Sequence, residues 1–193
     1  MTDARIVRTR ASLRAAIIEL ASQKPVTEIT VSELAAEADI NRVTFYKHYA
    51  SPAEALREAL YSELDDARET VLANEAESSD ACYGDLMGGL DLVLDHIERH
   101  RCLYELSFAD PDDGAVPSVL SQHFSQTVSM CLTKRAEAGV TTPEFDIDIV
   151  ASYFGAGLVG AIHMWVRERD RDRQKLRKSL ATLIPTWWDP ANF

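Results

Sequence analysis

An all-α fold is predicted by three features of this sequence. Glycine (8) and proline (7) are scarce over 193 residues. Apolar residues recur at i, i+3, i+4 and i+7 along most of the chain, and few runs alternate with the period of a strand. Hydrophobic residues make up 46% and charged residues 26%, the balance of a folded, soluble chain long enough to bury a core as one large domain or two small ones.

The helices follow in order. In the first, about Arg8 to Ser22, Leu13, Ile17 and Leu20 share a stripe that Arg10 and Arg14 avoid, and Gln23-Lys24-Pro25 ends it. Thr30 with Glu33 three residues on is a capping-box spacing, and it opens a second helix from Val31 to Ala38. Asp39-Ile40 turns the chain. Asn41 caps a third helix, about Arg42 to Tyr49. Ser51-Pro52-Ala53-Glu54 starts a long fourth, to about Ala76. A polar joint, Glu75 to Asp80, precedes renewed helical patterning through Ile97 and "CLYELSF". Asp110 to Gly114 is a loop. Val116–Ala138, Pro143–Arg169 and Arg171–Pro185 complete the set.

Net charge is −11, which by itself argues against nucleic acid. The acid is unevenly placed: residues 1–50 carry a net of +1 and the remainder −12. Phosphate contacts are local, so a basic tip on an acidic body remains compatible with DNA. Cys82, Cys102 and Cys131 are far apart and form no CxxC, the usage of reduced thiols in a cytoplasm. Arg5, Arg8 and Arg10 lead into an amphipathic pattern and not into the apolar block of a signal peptide. The run Ile149–Val166 has no charged residue over 18 positions, the lower limit for a membrane span. Its serine, glycines and histidine favour a buried helix, and no membrane partner is expected.

Three short helices, the second and third joined by a tight turn, predict a helix-turn-helix. Phe45 and Tyr49 share the rear face of the third helix, while Val43, Thr44 and Lys47 face forward with Arg42, Tyr46 and His48 on the flanks. In such a module the start of this helix meets base edges. Arg42 suits guanine O6 and N7, and Val43 suits a thymine methyl. Thr44, Tyr46, Lys47 and His48 are phosphate donors.

The segment "ITVSELAAEADINRVTFYKHYASPAEAL" resembles the DNA-binding region of TetR-type transcriptional repressors. It matches their pattern at Thr30-Val31, Leu34-Ala35, Ala38, Thr44-Phe45-Tyr46, Tyr49 and Ser51, within a resemblance spanning about residues 8–60. The DNA-binding set is then Thr30, Arg42, Val43, Thr44, Tyr46, Lys47 and His48. Two positions depart from the family. Asp39 stands where glycine is usual in the turn, a substitution that aspartate tolerates. Pro52 replaces a lysine that often reaches phosphate.

The resemblance implies an all-α homodimer with a helix-turn-helix domain, residues 1–51, and a helical ligand-binding and dimerisation domain, residues 52–193. Its last two helices would form a four-helix bundle with those of the partner. The stripe Val150, Phe154, Leu158, Ile162 and Trp165 agrees, with Ala151, Gly155 and Gly157 allowing close approach. Phe154, Gly155, Gly157, Leu158 and Trp165 are the expected dimer contacts, although an internal core accounts for the stripe as well. Tyr83, Met87, Tyr104, Phe108, Phe124 and His163 are the expected effector contacts. The same residue types also fill cores, and His123 and His163 fit hydrogen-bonded core positions equally.

His96 and His100 have the spacing of a zinc pair, but no glutamate stands in the protease position and the nearby acids Asp91 and Asp95 are ordinary helix-surface residues. No metal and no cofactor are expected. The basic run Arg167–Lys178 alternates with acids and reads as a solvated junction. Trp187-Trp188 is expected to cap a groove. There is no GxSxG, phosphate loop or CxxC, so the chain is not expected to be an enzyme. The expected function is a cytoplasmic, ligand-responsive regulator, a repressor that binds a palindromic operator as a homodimer and is released when a small-molecule effector tilts the long fourth helix. The rival class is a helical ligand carrier or enzyme whose opening bundle is only structural. The front of the third helix separates the two, since a structural bundle has no need of Arg42, Thr44, Lys47 and His48 together.

Overall fold

A computed structural model describes residues 4–74, 81–137, 139 and 143–188. All regular structure in it is helical: α1 (Ala4–Ala21), α2 (Val31–Glu37), α3 (Arg42–Tyr46), α4 (Pro52–Asn74), α5 (Ala81–Arg99), α6 (Arg101–Ala109), α7 (Ala115–Glu137), α8 (Ile147–Arg167) and α9 (Arg173–Leu183), with short 3-10 turns at Val26–Glu28 and Thr186–Trp188. The expected joint at residues 75–80 lies outside the described residues.

The chain packs as two compact units, one of residues 1–63 with 97–119 and the other of residues 64–96 with 120–193. This division cuts across the chain-order split expected at residue 51. α4 and α5 each contribute residues to both units.

In the first unit Leu13, Ile17, Leu34, Phe45, Leu56, Leu60, Leu103 and Tyr104 form the core. The capping box is present: Thr30 Oγ1 accepts from Glu33 N–H at 3.2 Å, and Glu33 Oε2 accepts from Thr30 N–H at 2.9 Å. Lys24 donates to the same carboxylate at 2.7 Å. The lysine, and after it the Thr30 amide, hold the Glu33 pKa down at about 2.

α2 ends in a Schellman turn. Ile40 N–H donates to the Ala35 carbonyl at 2.9 Å and Asp39 N–H to that of Ala36 at 3.1 Å. Asp39 occupies the left-handed region, φ 52°, which glycine enters without strain. Asn41 Oδ1 then accepts from Thr44 N–H at 2.7 Å and starts α3. α3 is shorter than the pattern suggested. After Tyr46 the chain tightens into turns, because Ser51 must cap α4 and a residue preceding proline avoids the helical region. Tyr49 N–H still reaches the Phe45 carbonyl at 3.0 Å, so the two aromatics stay on one face.

In the second unit α5, α7, α8 and α9 enclose Leu90, Val93, Leu94, Leu120, Phe124, Val128, Ile162, Trp165 and Trp188. α8 starts at Asp146, whose Oδ1 accepts from the amides of Asp148 and Ile149, and not at Pro143. By length and composition α8 could cross a membrane. Its inner face nevertheless packs on α7: a Cβ at Gly155 would lie 2.2 Å from Ser125 Oγ and 2.9 Å from the Ser121 carbonyl. Trp188 is fully buried within the chain, with Phe154 and Trp187 at ring centroids of 5.8 and 5.5 Å. The junction at residues 167–178 is largely exposed, as expected, and two of its arginines also pair with α5. Arg173 bonds Asp91 at 3.1 Å and Asp95 at 2.5 Å, and Arg177 pairs with Asp91 as well, tying α9 to α5.

Replacing Asp39 by glycine should raise stability by up to about 1 kcal/mol, since the left-handed region strains every side chain. Asp39→Val should lower it by about 1–2 kcal/mol. Urea denaturation of both variants measures this, and equal midpoints would mean that the turn is not strained.

Candidate nucleic-acid interface and effector cavity

α3 carries a buried rear and an exposed front within five residues. Phe45 is fully buried and Tyr49 nearly so, at a ring separation of 6.0 Å. Burial, and next the Glu58 carboxylate, push the Tyr49 phenol up to about 12, so it stays neutral. In front, Val43 is 69% and Tyr46 55% exposed, beside the exposed Arg42 and Lys47. Thr44 is half-buried. His48 is half-buried with its ring 6.4 Å from Tyr49. Thr30 is exposed at the start of α2. No acidic residue lies between Asp39 and Glu54. The front therefore offers donors, cations and two bare apolar groups with no carboxylate among them, the surface chemistry that double-stranded DNA requires.

The second unit holds an apolar cavity of about 360 Å³. Leu90, Phe124 and Val128 form its floor, Phe154, Leu158 and Ala161 one wall, and Leu180 and Ile184 the α9 wall, with Met87 also lining it. Tyr153, Ala156, Gly157 and Leu183 complete the lining, and they are exposed. Its size and apolar lining are in the range of sites that hold small molecules in proteins generally.

Of the expected effector contacts, the cavity brings together Met87 and Phe124. Tyr104 and Phe108 do not join them: both are buried in the first unit, at ring centroids of 6.3 Å, where burial and then Glu63 raise the Tyr104 pKa. His163 is half-buried on α8 outside the lining, and the side chain of Tyr83 lies outside what the structure describes. Sequence reasoning missed the α9 wall, although the spacing of Leu176, Leu180 and Leu183 signals an apolar face. His100, half of the suspected zinc pair, has its Nε2 2.8 Å from Glu63 Oε2.

Two of the five expected dimer contacts also turn inward. Gly155 meets α7 and Trp165 is buried, because the helix needs that side for its own core. Phe154 packs on Trp188 and Leu158 lines the cavity. The face left open runs instead through Ile149, Tyr153, Ala156, Gly157, Gly160 and Met164.

Residues 13–60 match the bacterial regulatory proteins of the tetR family. The match is confined to the segment that holds α2 and α3, whose helix-turn-helix is thus similar to that of this family. It is 41% identical over 56 residues to the uncharacterized HTH-type transcriptional regulator YxbF of Bacillus subtilis, a match covering 28% of this chain and 15% of that one. A 34% match over 73 residues to a tRNA N6-adenosine threonylcarbamoyltransferase of Streptococcus pneumoniae covers 37% of this chain and 18% of the enzyme. The chain thus spans far less than two thirds of either curated relative. The fold resembles that of Thermus thermophilus FadR, a TetR-family transcriptional repressor in complex with lauroyl-CoA, with a TM-score of 0.68, 20% identity, and coverage of 90% of this chain and 92% of that one.

Two outcomes follow from the second unit. Gly155→Ala should lower stability by about 1–3 kcal/mol, because α7 leaves no room for a methyl group; an unchanged denaturation midpoint would remove that contact. His123 is buried, and burial, followed by the Arg68 charge, lowers its pKa from 6.5 to about 4. Protonation therefore favours the unfolded chain. The stability is complete above pH 6.5 and is lost as pH falls towards 4, by about 3 kcal/mol at most. Melting across that range should show the loss, and His123→Gln should reduce it.

Proposed function

We propose that this chain is a ligand-responsive transcriptional regulator: a repressor that grips a palindromic operator as a homodimer, in the cytoplasm, without cofactor or catalysis. The observation that carries the reading is the division of α3, with Phe45 fully buried behind Val43 and Tyr46 that are left to solvent. A structural bundle gains nothing from exposing two apolar side chains beside Arg42 and Lys47. Arg42 and Val43 are assigned base edges, and Thr30, Thr44, Tyr46, Lys47 and His48 the backbone.

Two reading helices must lie about 34–36 Å apart to meet successive major grooves. α4 has residues in both units, so it is the element through which an effector would change that spacing. The effector must prefer the state that does not fit DNA, or it shifts nothing. The cavity supports an apolar effector. The acyl group carried by the FadR fold neighbour has the right character, while phosphates would find no lysine or arginine in this lining. The homodimer is supported by the exposed apolar face of α8.

A gel shift on the chain's own upstream DNA tests the reading. Arg42→Ala should weaken operator binding by about 1–3 kcal/mol and relax one base position. Lys47→Ala should weaken all sequences alike and flatten the salt slope by about one unit. If both variants lose affinity equally on every sequence, the division between base and phosphate contacts is wrong. If the parent shifts no DNA, the helical carrier takes its place.

A further inference from the structure

We infer that Glu63, His96 and His100 form a binding site for a borderline divalent transition-metal ion, and that zinc is the ion their chemistry fits best. The site goes beyond the DNA and effector readings above and depends on neither.

The backbone sets two of the three ligands. His96 lies in the last turn of α5 and His100 follows four residues on, directly after the helix, so one turn of chain brings both rings to one side. The nearby acids of the same helix are engaged elsewhere, since Asp91 and Asp95 both pair with Arg173. The third ligand comes from α4 and is distant in sequence, which is why the histidine spacing alone did not reveal it.

One ring nitrogen of each histidine and one carboxylate oxygen of Glu63 all lie within 4.8 Å of one another. His100 Nε2 and Glu63 Oε2 are 2.8 Å apart. Zinc holds nitrogen and carboxylate ligands at about 2.0–2.2 Å, which sets the ligand atoms of one tetrahedral ion roughly 3.3 Å apart. At its widest the cluster is thus within about 1.5 Å of that spacing, a distance that side-chain rotation covers.

The donor set is also selective. Two imidazoles and one carboxylate suit zinc and its neighbours, whereas calcium and magnesium take oxygen ligands. His96 is 2% exposed, the His100 side chain 16% and that of Glu63 35%. The site is therefore closed behind His96 and reached by solvent past Glu63. Three protein ligands leave a fourth position to water or to an oxygen of a small molecule. Charge favours an ion as well. Burial and then the Glu63 carboxylate raise the pKa of Tyr104, so the carboxylate charge acts on a dry interior, where a dication offsets it. A plain hydrogen bond between histidine and glutamate needs only His100 and Glu63. It gives no reason for a second, buried imidazole to bring a nitrogen to the same place.

The test uses the full chain without a histidine tag, titrated with cobalt(II) chloride and followed by the visible absorption of the bound ion. One cobalt per chain should bind, displaced by zinc chloride and not by magnesium chloride. Glu63→Gln and His100→Gln alter partly exposed side chains and should each weaken binding at least about tenfold, the low end of what losing even an outer partner costs a metal site. Zinc should raise the melting temperature of the parent and not that of these two variants. Cys102→Ser removes the exposed thiol two residues beyond His100 and should leave cobalt binding unchanged. A parent that binds no cobalt, or variants at Glu63 and His100 that bind it as tightly as the parent, overturn the site. Loss of binding in Cys102→Ser, or displacement by magnesium, overturns the ligand set. The gel shift is a separate measurement: a chain that binds cobalt and shifts no DNA loses the regulator reading and keeps this site.

Discussion

A helix of five residues has no stability of its own, because the cost of starting a helix is spread over too few hydrogen bonds. α3 exists because Phe45 is held in a closed core, Asn41 caps its start, and the Schellman turn at Asp39 fixes the angle at which it leaves α2. This constraint orders the rest of the first unit. α2 packs directly on α3, and the buried side chains of α1, the start of α4 and α6 complete the core of the same unit. Once Phe45 and Tyr49 have used the rear of the segment, Arg42, Val43, Tyr46 and Lys47 are left to face outward. Burial and exposure are thus divided residue by residue along one short segment.

The second unit solves a different problem. α8 is apolar on all sides, yet only one side finds partners within the described protomer. Its inner side is fixed by a close approach to α7 at Gly155, by the burial of Ile162, Trp165 and Val166, and by Phe154 against Trp188. α9 is held at a different edge, where Arg173 and Arg177 share Asp91 on α5. While these charged groups fasten α9 to α5, Leu180 and Leu183 line the cavity and Leu176 is buried.

Polar groups inside the two units show what burial does to chemistry. Tyr49 and Tyr104 are kept neutral and His123 is kept unprotonated, in each case mainly because the surroundings disfavour charge. Glu33 shows the opposite. It is exposed and keeps its charge through Lys24 and the capping box. The same rule of local solvation and local partners accounts for all four.

By itself the sequence determined the helical class, the caps and turn residues that bound the early helices, and the division of residues 42–49 into a Phe45-Tyr49 rear and an Arg42-Val43-Lys47 front. These are local properties: periods of three and four residues, side-chain caps, and a proline that stops a helix, all acting within a few residues of one another. Which side of α8 faces inward was not local. Every side of that helix is apolar, so no period distinguishes them, and only the approach of α7 at Ser121 and Ser125 decided that Gly155 belongs inside and Gly157 outside. The same holds for Tyr104 and Phe108, which look like pocket residues in sequence but pack in the other unit. A cavity is made by side chains distant in the chain, and the space they leave unfilled depends on how the helices meet, which is a property of the tertiary structure alone.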